Sequence, residues 1–180
     1  MDLRALSQSR DATDAEWQSR IREMRDHLSA LARESQAHSD PVYAKLEVLG
    51  LASAARAYSQ RRCAEEGVTL DFEATDVPGD LPREVAVTLF RVLQEGLDNA
   101  LRYARTPNIT VSLRGTASAI ELDVVDQGVG FDPATAAKSG GLGLVGTCER
   151  LRLLGGTCAI QSSPGAGTQI HARVPLTSNP

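Results

Sequence analysis

The chain has 180 residues, of which 42% are hydrophobic and 23% charged, and its formal net charge is −4. This composition is typical of a folded globular domain, and it excludes the strongly basic surface of a nucleic-acid-binding protein. No apolar run approaches the roughly 18 residues that a membrane-spanning helix needs, and the first residues do not form a signal peptide. We therefore expect a cytoplasmic segment without membrane or nucleic-acid contact, while a longer parent protein remains compatible with a membrane anchor.

The three cysteines, Cys63, Cys148 and Cys158, are too scattered to form a CxxC pair. An odd number of isolated cysteines is typical of a protein from a reducing compartment. We expect all three to be reduced thiols with structural roles.

Apolar spacings of three and four residues predict helices in the first third of the chain. These helices extend to about residue 66, with a break at Pro41. A further helix is expected to run to about Ala104, with Asp80 as its cap and Pro82 and Glu84 in its first turn.

The remaining segments alternate apolar and polar residues as strands do. The predicted strands cover residues 68–72, 109–113, 120–125, 159–162 and 169–174, with a short helix over residues 144–154 before the last two. Helices interleaved with hairpins indicate an α+β protein. The expected architecture is a two-layer α/β sandwich with helices on one face of a mixed sheet, preceded by a helical segment.

Polar side chains recur along one side of the predicted long helix. Glu95, Asn99 and Tyr103 are four residues apart and share a face, with Arg102 beside them. The amide oxygen of Asn99 is a suitable ligand for Mg²⁺. Glu95, one turn earlier, is placed to hold the ion's waters or to orient an attacking group. By itself the pattern is also compatible with an ordinary solvated helix face.

A carboxylate, Asp126, ends an apolar strand just before Gly128 and Gly130. A buried carboxylate needs a hydrogen-bond donor, and the exocyclic amine of adenine is such a donor. The two glycines let the backbone turn sharply and approach a flat base. An ordinary turn between a strand and a loop is the alternative interpretation.

Two further segments indicate phosphate and base contacts. Residues 140–146 carry four glycines at a predicted helix start, where exposed amides and the helix dipole favour phosphate. The segment lacks the Gly-Lys-Ser/Thr of a P-loop and does not follow a strand as a dinucleotide fingerprint does. Thr168, after Gly167 at the start of the last strand, offers a hydroxyl for a base contact. A flexible loop and a simple turn are the alternatives.

In this order the four segments resemble the N, G1 and G2 boxes and the terminal Gly-Thr of the ATPase fold shared by DNA gyrase, MutL and histidine kinases, known as the GHKL or Bergerat fold. The similarity covers about residues 42–176 and is strongest to the nitrate/nitrite-sensor subfamily of sensor histidine kinases in two-component systems. The segments that carry it are FRVLQEGLDN (90–99), DQGVGFD (126–132), GLGLVG (141–146) and SPGAGT (163–168).

The resemblance implies a role for each matching residue. Glu95 would assist phosphoryl transfer as the catalytic residue, and Asn99 would coordinate Mg²⁺. The subfamily usually has His where Tyr103 stands, and Met-Arg where Thr147-Cys148 stands; the second departure concerns local packing rather than ATP binding. The residues expected to bind ATP, under a lid at about residues 132–139, are Asn99, Arg102, Tyr103, Asp126, Gly128, Gly130, Gly141, Leu142, Gly143, Leu144 and Thr168.

The resemblance also implies a domain division and partners. Residues 1–40 are similar to the end of a dimerisation hairpin, and residues 41–180 to the catalytic domain. The His-Asp box of the phosphoacceptor is not found, because His27 is followed by Leu28 rather than by an acid. We therefore expect a kinase truncated after its phosphorylation site, which transfers the ATP γ-phosphoryl to a histidine outside this chain for relay to a response regulator. A homodimer is expected for the parent protein.

Two other functions are compatible with the same motifs. A nucleotide-binding regulatory module without turnover would account for the missing His-Asp box. A serine kinase of the anti-sigma type is a further alternative, against which the hairpin-like residues and Glu149-Arg150 argue.

Overall fold

The computed structural model of the chain describes residues 41–132 and 142–176. The described residues from Ala44 onward belong to one compact unit. The hairpin predicted for residues 1–40, Gly141 and the lid from residue 133 onward lie outside the described residues. The division at residue 40 therefore stays a prediction.

The predicted helices and strands of the described part are confirmed, with ends that differ by a few residues. The helices are α1 (Pro41–Glu66), α2 (Arg83–Asn99) and α3 (Leu142–Leu153), and a π-helical turn, Ala100–Ala104, continues α2. The strands are β1 (Thr69–Thr75), β2 (Asn108–Gly115), β3 (Ala119–Asp126), β4 (Thr157–Ser162) and β5 (Thr168–Pro175). None of these helices is both long and apolar enough to cross a bilayer.

The five strands form one mixed sheet in the order β1-β2-β3-β5-β4. β1 runs parallel to β2, and the other neighbours are antiparallel. Alternate residues of the three central strands are buried on the helix-facing side, among them Ile109, Val111, Leu113, Leu122, Val124, Ile170, Ala172 and Val174. The expected α+β sandwich is therefore confirmed.

The opposite face of the sheet is polar and half-exposed. Nδ1 of His171 lies 3.0 Å from Oδ1 of Asp123, and Nε of Arg173 donates to Oε1 of Glu121 at 3.2 Å. Both pairs join residues that face each other directly across β3 and β5. Since polar cross-strand pairs stabilise a solvated sheet face, this side needs no second layer of helices.

Helix α2 packs on the sheet through a stripe of buried residues, as the apolar spacing predicts. The stripe consists of Val85, Leu89, Val92, Gly96 and Ala100. A Cβ atom at Gly96 would lie 2.9 Å from Cδ1 of Ile170 and 3.5 Å from Val124. A larger residue at this position would require the end of the Ile170 side chain to move, so Gly96 favours a close approach of α2 to β3 and β5.

Helix α1 contacts α2 through a cluster of charged and polar side chains. Nε and Nη2 of Arg62 donate to Oδ1 of Asp98 at 3.1 and 3.0 Å, and the Tyr58 hydroxyl lies 3.3 Å from Oδ2. Hydrogen bonds to Glu65 and Asp98 raise the pKa of Arg62 above its already high value. Burial and the Asp98 charge raise the pKa of Tyr58. Both groups therefore stay protonated donors to Asp98 at neutral pH.

The sequence signals agree with the structure at the end of α3 but not at the start of α2. The Asp80 cap is wrong: Pro82 is the N-cap of α2, and no side chain caps the helix, because Asp80 lies in the turn before it. Helix α3 ends at Leu153, one residue before its predicted end, and Gly155 follows with a positive φ of 71°. The amide of Gly156 donates to the Leu151 carbonyl at 2.9 Å, the bond that closes a glycine-terminated helix. Helix α1 is also interrupted at Gly50, where φ is 73°.

The expectation of three reduced thiols is wrong for two of them. The structure joins Cys148 of α3 to Cys158 of β4 in a disulfide, with 5.3 Å between the two Cα atoms. Only Cys63 is a free, buried thiol. The pairing depends on how α3 packs over β4, so the sequence separation of ten residues did not reveal it.

We predict that the Arg62–Asp98 ion pair couples α1 to α2. In a double-mutant cycle of Arg62→Ala and Asp98→Ala, the coupling free energy of unfolding should be about 1 kcal/mol, because both side chains are mostly buried. Urea denaturation of the four proteins measures it. The control cycle uses the exposed pair Arg83 and Glu47, whose coupling should stay below about 0.5 kcal/mol. Equal coupling in both cycles would contradict the prediction.

Candidate functional site

The centre of the site is Asp126, the last residue of β3, which is only 6% exposed. Asp126 lies opposite Thr168 on β5, and Thr168 lies opposite Ser162 on β4. Residues directly opposite in neighbouring strands point to the same face of the sheet. Three polar side chains therefore form one row at the end of the sheet, on the side that carries the helices.

Three hydrogen bonds hold the loop after β3 in place. Oδ1 of Asp126 accepts a hydrogen bond from the Gly128 amide at 2.8 Å. The Val129 amide donates to the carbonyl of Ala104 at 2.8 Å, and the Val129 carbonyl accepts from the Gly165 amide at 2.7 Å. The loop is thus fixed between the end of the α2 helical segment and the β4–β5 turn.

Three glycines make this arrangement possible. A Cβ atom at Gly128 would overlap the carbonyl of Ala104, and one at Gly167 would overlap the carbonyl of Asp126. Gly130 and Gly167 also have positive φ values of 57° and 72°. Any other residue would strain the backbone and push the loop away from its neighbours. The predicted glycines are therefore needed for the loop's shape, whatever binds beside it.

Glu95 and Asn99 lie on α2 near the same end of the sheet, and both are half-exposed. Asn99 stands between two fixed contacts of the helical segment: Gly96, which packs on β3 and β5, and Ala104, whose carbonyl contacts the loop after Asp126. The helix therefore runs toward this loop and brings Asn99 to the side of the site.

The last turn of the helical segment departs from the predicted geometry. Residues 100–104 form a π-helical turn that ends at Arg105, which is in the left-handed conformation. The regular spacing predicted for the polar face therefore holds only for Glu95 and Asn99. A π-turn has more residues per turn, so Tyr103 falls short of the position one full turn after Asn99. Arg102 and Tyr103 are both exposed.

The glycine-rich segment opens a helix, as predicted. Helix α3 starts at Leu142 and includes Gly143, while the side chain of Leu144 is only 8% exposed and belongs to the core. The first amides of a helix have no partner within it, and they lie at the positive end of the helix dipole. The start of α3 therefore offers donors for an anionic group.

Ser162 is a site residue that the sequence did not reveal. Its Oγ accepts a hydrogen bond from the Phe131 amide at 2.9 Å and donates to the Gly167 carbonyl at 2.8 Å. Oγ also lies 3.2 Å from the Thr168 hydroxyl. Ser162 thus ties the loop after β3 to the β4–β5 turn. The only sequence signal was a serine at a strand end before a Pro-Gly turn.

The comparison with protein families shows which family the chain belongs to. The family described as histidine kinase-, DNA gyrase B- and HSP90-like ATPase matches residues 84–178, more than half of the chain. The chain belongs to this ATPase family. The match spans every described element of the site, from α2 to β5. These residues form an ATP-binding catalytic domain of the histidine kinase type.

Similar curated proteins place the domain among sensor histidine kinases. An uncharacterized sensor-like histidine kinase of Chloroflexus aurantiacus is 39% identical over 140 residues, covering 74% of this chain and 24% of that protein. The oxygen sensor histidine kinase NreB of Staphylococcus carnosus is 36% identical over 132 residues, covering 73% of this chain and 38% of that protein. The chain therefore spans well under half the length of either relative.

Solved structures support the same fold. The histidine kinase domain of a blue-light activated histidine kinase from Erythrobacter litoralis matches with a TM-score of 0.56 and 22% identity, covering 71% of this chain and 65% of that one. A structure of the blue-light activated kinase itself matches with a TM-score of 0.62 and 20% identity, covering 86% of this chain and 51% of that one. At such identities the similarity is one of fold.

We predict that Gly128→Ala lowers the free energy of unfolding of the domain by about 2 kcal/mol or more, because the added methyl group meets the Ala104 carbonyl. Urea denaturation measures the change. The matched control is Gly146→Ala in α3, where a Cβ atom meets nothing within 4 Å. This control should be neutral or stabilising by up to about 1 kcal/mol. Similar losses in both variants would refute the role given to Gly128.

Proposed function

We propose that the domain binds ATP with Mg²⁺ in the site around Asp126, and that the full-length protein transfers the γ-phosphoryl group to a histidine. The observation that carries the proposal is the buried carboxylate of Asp126, which lies opposite the partly buried Thr168 on the helix-facing side of the sheet. A buried carboxylate at a loop that glycines keep open is suited to a donor on a flat ligand.

In this proposal the adenine base contacts the row at the sheet end. Asp126 accepts a hydrogen bond from the exocyclic amine, while its Oδ1 keeps the Gly128 amide. The Thr168 hydroxyl, which Ser162 orients, completes the base contact directly or through water. Gly128 and Gly130 leave room for the flat ring. The base is therefore read by a rigid backbone and one fixed carboxylate.

Asn99 supplies the protein's ligand to Mg²⁺ in this proposal. No group of three or more His, Cys, Asp or Glu side chains is arranged for a metal within the described ranges. Mg²⁺ commonly keeps several waters and takes only one or two protein ligands, with phosphate oxygens completing its shell. A single amide oxygen beside a triphosphate fits that chemistry. When bound, the ion neutralises the phosphate charge that develops during transfer.

The triphosphate is proposed to lie along the start of α3. Gly141, Leu142 and Gly143 would donate backbone amides there, with Leu144 anchoring the helix in the core. Arg102 and Tyr103 are exposed beside α2 and are proposed to contact the nucleotide from that side. The N-terminal end of α3 thus stabilises negative charge without a P-loop lysine.

Glu95 is proposed to act on the attacking group. It lies one turn before Asn99 on α2, at the helix side next to the metal ligand. A carboxylate at this position orients the nucleophilic nitrogen of the acceptor histidine and accepts its proton. The catalytic power of such a site comes mainly from positioning and charge neutralisation.

The partners belong to the parent protein in this proposal. A histidine outside this chain accepts the phosphoryl group and passes it to a response regulator. The parent acts as a homodimer, and the domain works in the cytoplasm, where ATP is supplied. The 36–39% identity to proteins named as sensor histidine kinases supports these assignments.

We predict that Asp126→Asn weakens ATP binding at least about tenfold, because the amide presents an N–H donor to the adenine amine. Isothermal titration with ATP and Mg²⁺ measures the dissociation constant. The control is Asp123→Asn, on the same strand but on the opposite face, where the side chain contacts His171. The control should bind like the wild type. If Asp126→Asn also binds like the wild type, the base is not read by Asp126.

The same titration tests the metal ligand. Wild-type protein should bind ATP more tightly with Mg²⁺ than with a chelator. Asn99→Ala should lose most of that difference, because the remaining contacts to the ion come from phosphate and water. An unchanged Mg²⁺ effect would remove Asn99 from the metal site.

We predict that Glu95→Gln reduces phosphoryl transfer at least about 100-fold while ATP binding changes little. The assay supplies a helical hairpin that contains the phosphoacceptor histidine of a similar kinase, and it follows label from γ-labelled ATP. Label should appear on the hairpin and not on the domain alone. ATP binding without transfer by the wild-type domain would favour a regulatory module. Transfer to serine would favour the anti-sigma type.

A further inference from the structure

The disulfide between Cys148 and Cys158 joins two elements that carry different parts of the site. Cys148 lies in the middle of α3, whose start is proposed to bind the triphosphate, and Cys158 lies on β4, which ends at Ser162. The Cα atoms are 5.3 Å apart, within the range that a disulfide spans without moving the backbone. The cross-link therefore ties the helix whose start is proposed to bind the triphosphate to the strand whose other end carries Ser162.

The two cysteine residues differ in exposure. Cys148 is 6% exposed, whereas Cys158 is half-exposed on β4, an edge strand of the sheet with only β5 beside it. An incoming thiolate therefore reaches Cys158 first. Thiol–disulfide exchange depends on such access as well as on the thiol pKa.

The cross-link adds a covalent bond to the packing that holds α3 on the sheet. Leu151 is fully buried, and a Cβ atom at Gly156 would meet its side chain at 2.8 Å, so the helix end is tightly packed. Toward the start of the helix, Leu144 and Thr147 are each 8% exposed, and a Cβ atom at Gly146 would meet nothing within 4 Å. Cys148 lies between Leu144 and Leu151 and is the covalent link from α3 to the sheet.

We propose that Cys148 and Cys158 form a thiol–disulfide exchange site whose cross-linked state binds ATP more tightly than its reduced state. The effect on ATP rests on the proposed function, since the helix that is tied down carries the phosphate donors. The reductant is a dithiol, either a small molecule or a reduced protein with two neighbouring thiols. The oxidant that restores the bond is a disulfide such as oxidised glutathione.

The thiol–disulfide exchange proceeds in two steps. A thiolate of the reductant attacks Sγ of Cys158, the bond to Cys148 breaks, and Cys148 leaves as a thiolate that takes a proton. The second thiolate of the reductant then attacks its own sulfur in the mixed disulfide and releases Cys158. Two electrons and two protons pass from the dithiol to the protein, and the reductant becomes a disulfide.

The remaining cysteine does not take part. Cys63 is 1% exposed, and burial raises the pKa of its thiol. A buried thiol with little thiolate reacts slowly, so Cys63 is the natural control. In the proposed cytoplasmic setting, disulfides are usually transient and redox-sensing, which matches an exchange site better than a permanent structural bond.

The experiment compares the 180-residue chain after treatment with oxidised glutathione and after treatment with a dithiol. Labelling with a maleimide in denaturant, read by intact mass, should add one label to the oxidised protein and three to the reduced protein, because the chain has three cysteines. Titration with ATP and Mg²⁺ should give a dissociation constant about fivefold lower for the oxidised form. Hydrogen exchange of the α3 amides should be slower in that form.

Two variants sharpen the test. Cys158→Ser should bind ATP like the reduced wild type under both treatments, while Cys63→Ala should keep the full difference. The inference is overturned if the protein takes three labels at every ratio of oxidised to reduced glutathione. It is also overturned if the oxidised and reduced forms both bind ATP with equal affinity. If neither form binds ATP, the proposed function fails. In that case the hydrogen exchange of the α3 amides still tests the inference. Equal hydrogen exchange in the oxidised and reduced forms would show that the disulfide does not stabilise the helix, and would overturn the inference.

Discussion

The loop after β3 can lie against the end of the α2 helical segment only because residue 128 has no side chain. A methyl group at Gly128 would occupy the position of the Ala104 carbonyl, which accepts the hydrogen bond of Val129. This contact brings two parts of the site together that are far apart in sequence. It fixes Asn99 of the helix relative to Asp126 of the strand, and so it fixes the spacing between metal and base in the proposed site.

Much of the fold was predictable because its signals are local. Periods of two and of about 3.6 residues marked the strands and helices, and glycine marked the end of α3. The order of these elements was enough to give the sandwich. The site residues were predicted from four motifs in a fixed order, a stronger signal than any one of them. The structure then explains that signal: Asp126 and Thr168 are direct neighbours across two strands.

The features that the sequence did not reveal depend on packing. The role of Ser162 requires knowledge of where the loop after β3 lies, and the disulfide requires the position of α3 over β4. The π-helical turn has no composition signal, because its residues Ala, Leu, Arg and Tyr are all tolerated in a regular α-helix. The Asp80 cap failed for a local reason: the chain makes another turn before the helix starts at Arg83. Regular periodicity therefore predicted the helices and strands but not the local geometry that depends on their packing.

The two edges of the sheet differ in how they resist pairing with another chain. β1 exposes Asp71 and Glu73, and acidic side chains on an edge strand discourage a second strand from joining it. β4 carries no charged residue, and it is protected mainly by its length of six residues. The link from Cys158 to α3 adds to that protection by holding the strand in place. Among the described strands, β4 is thus the sheet edge that charged side chains do not guard, and a strand from another chain would meet less electrostatic resistance there than at β1.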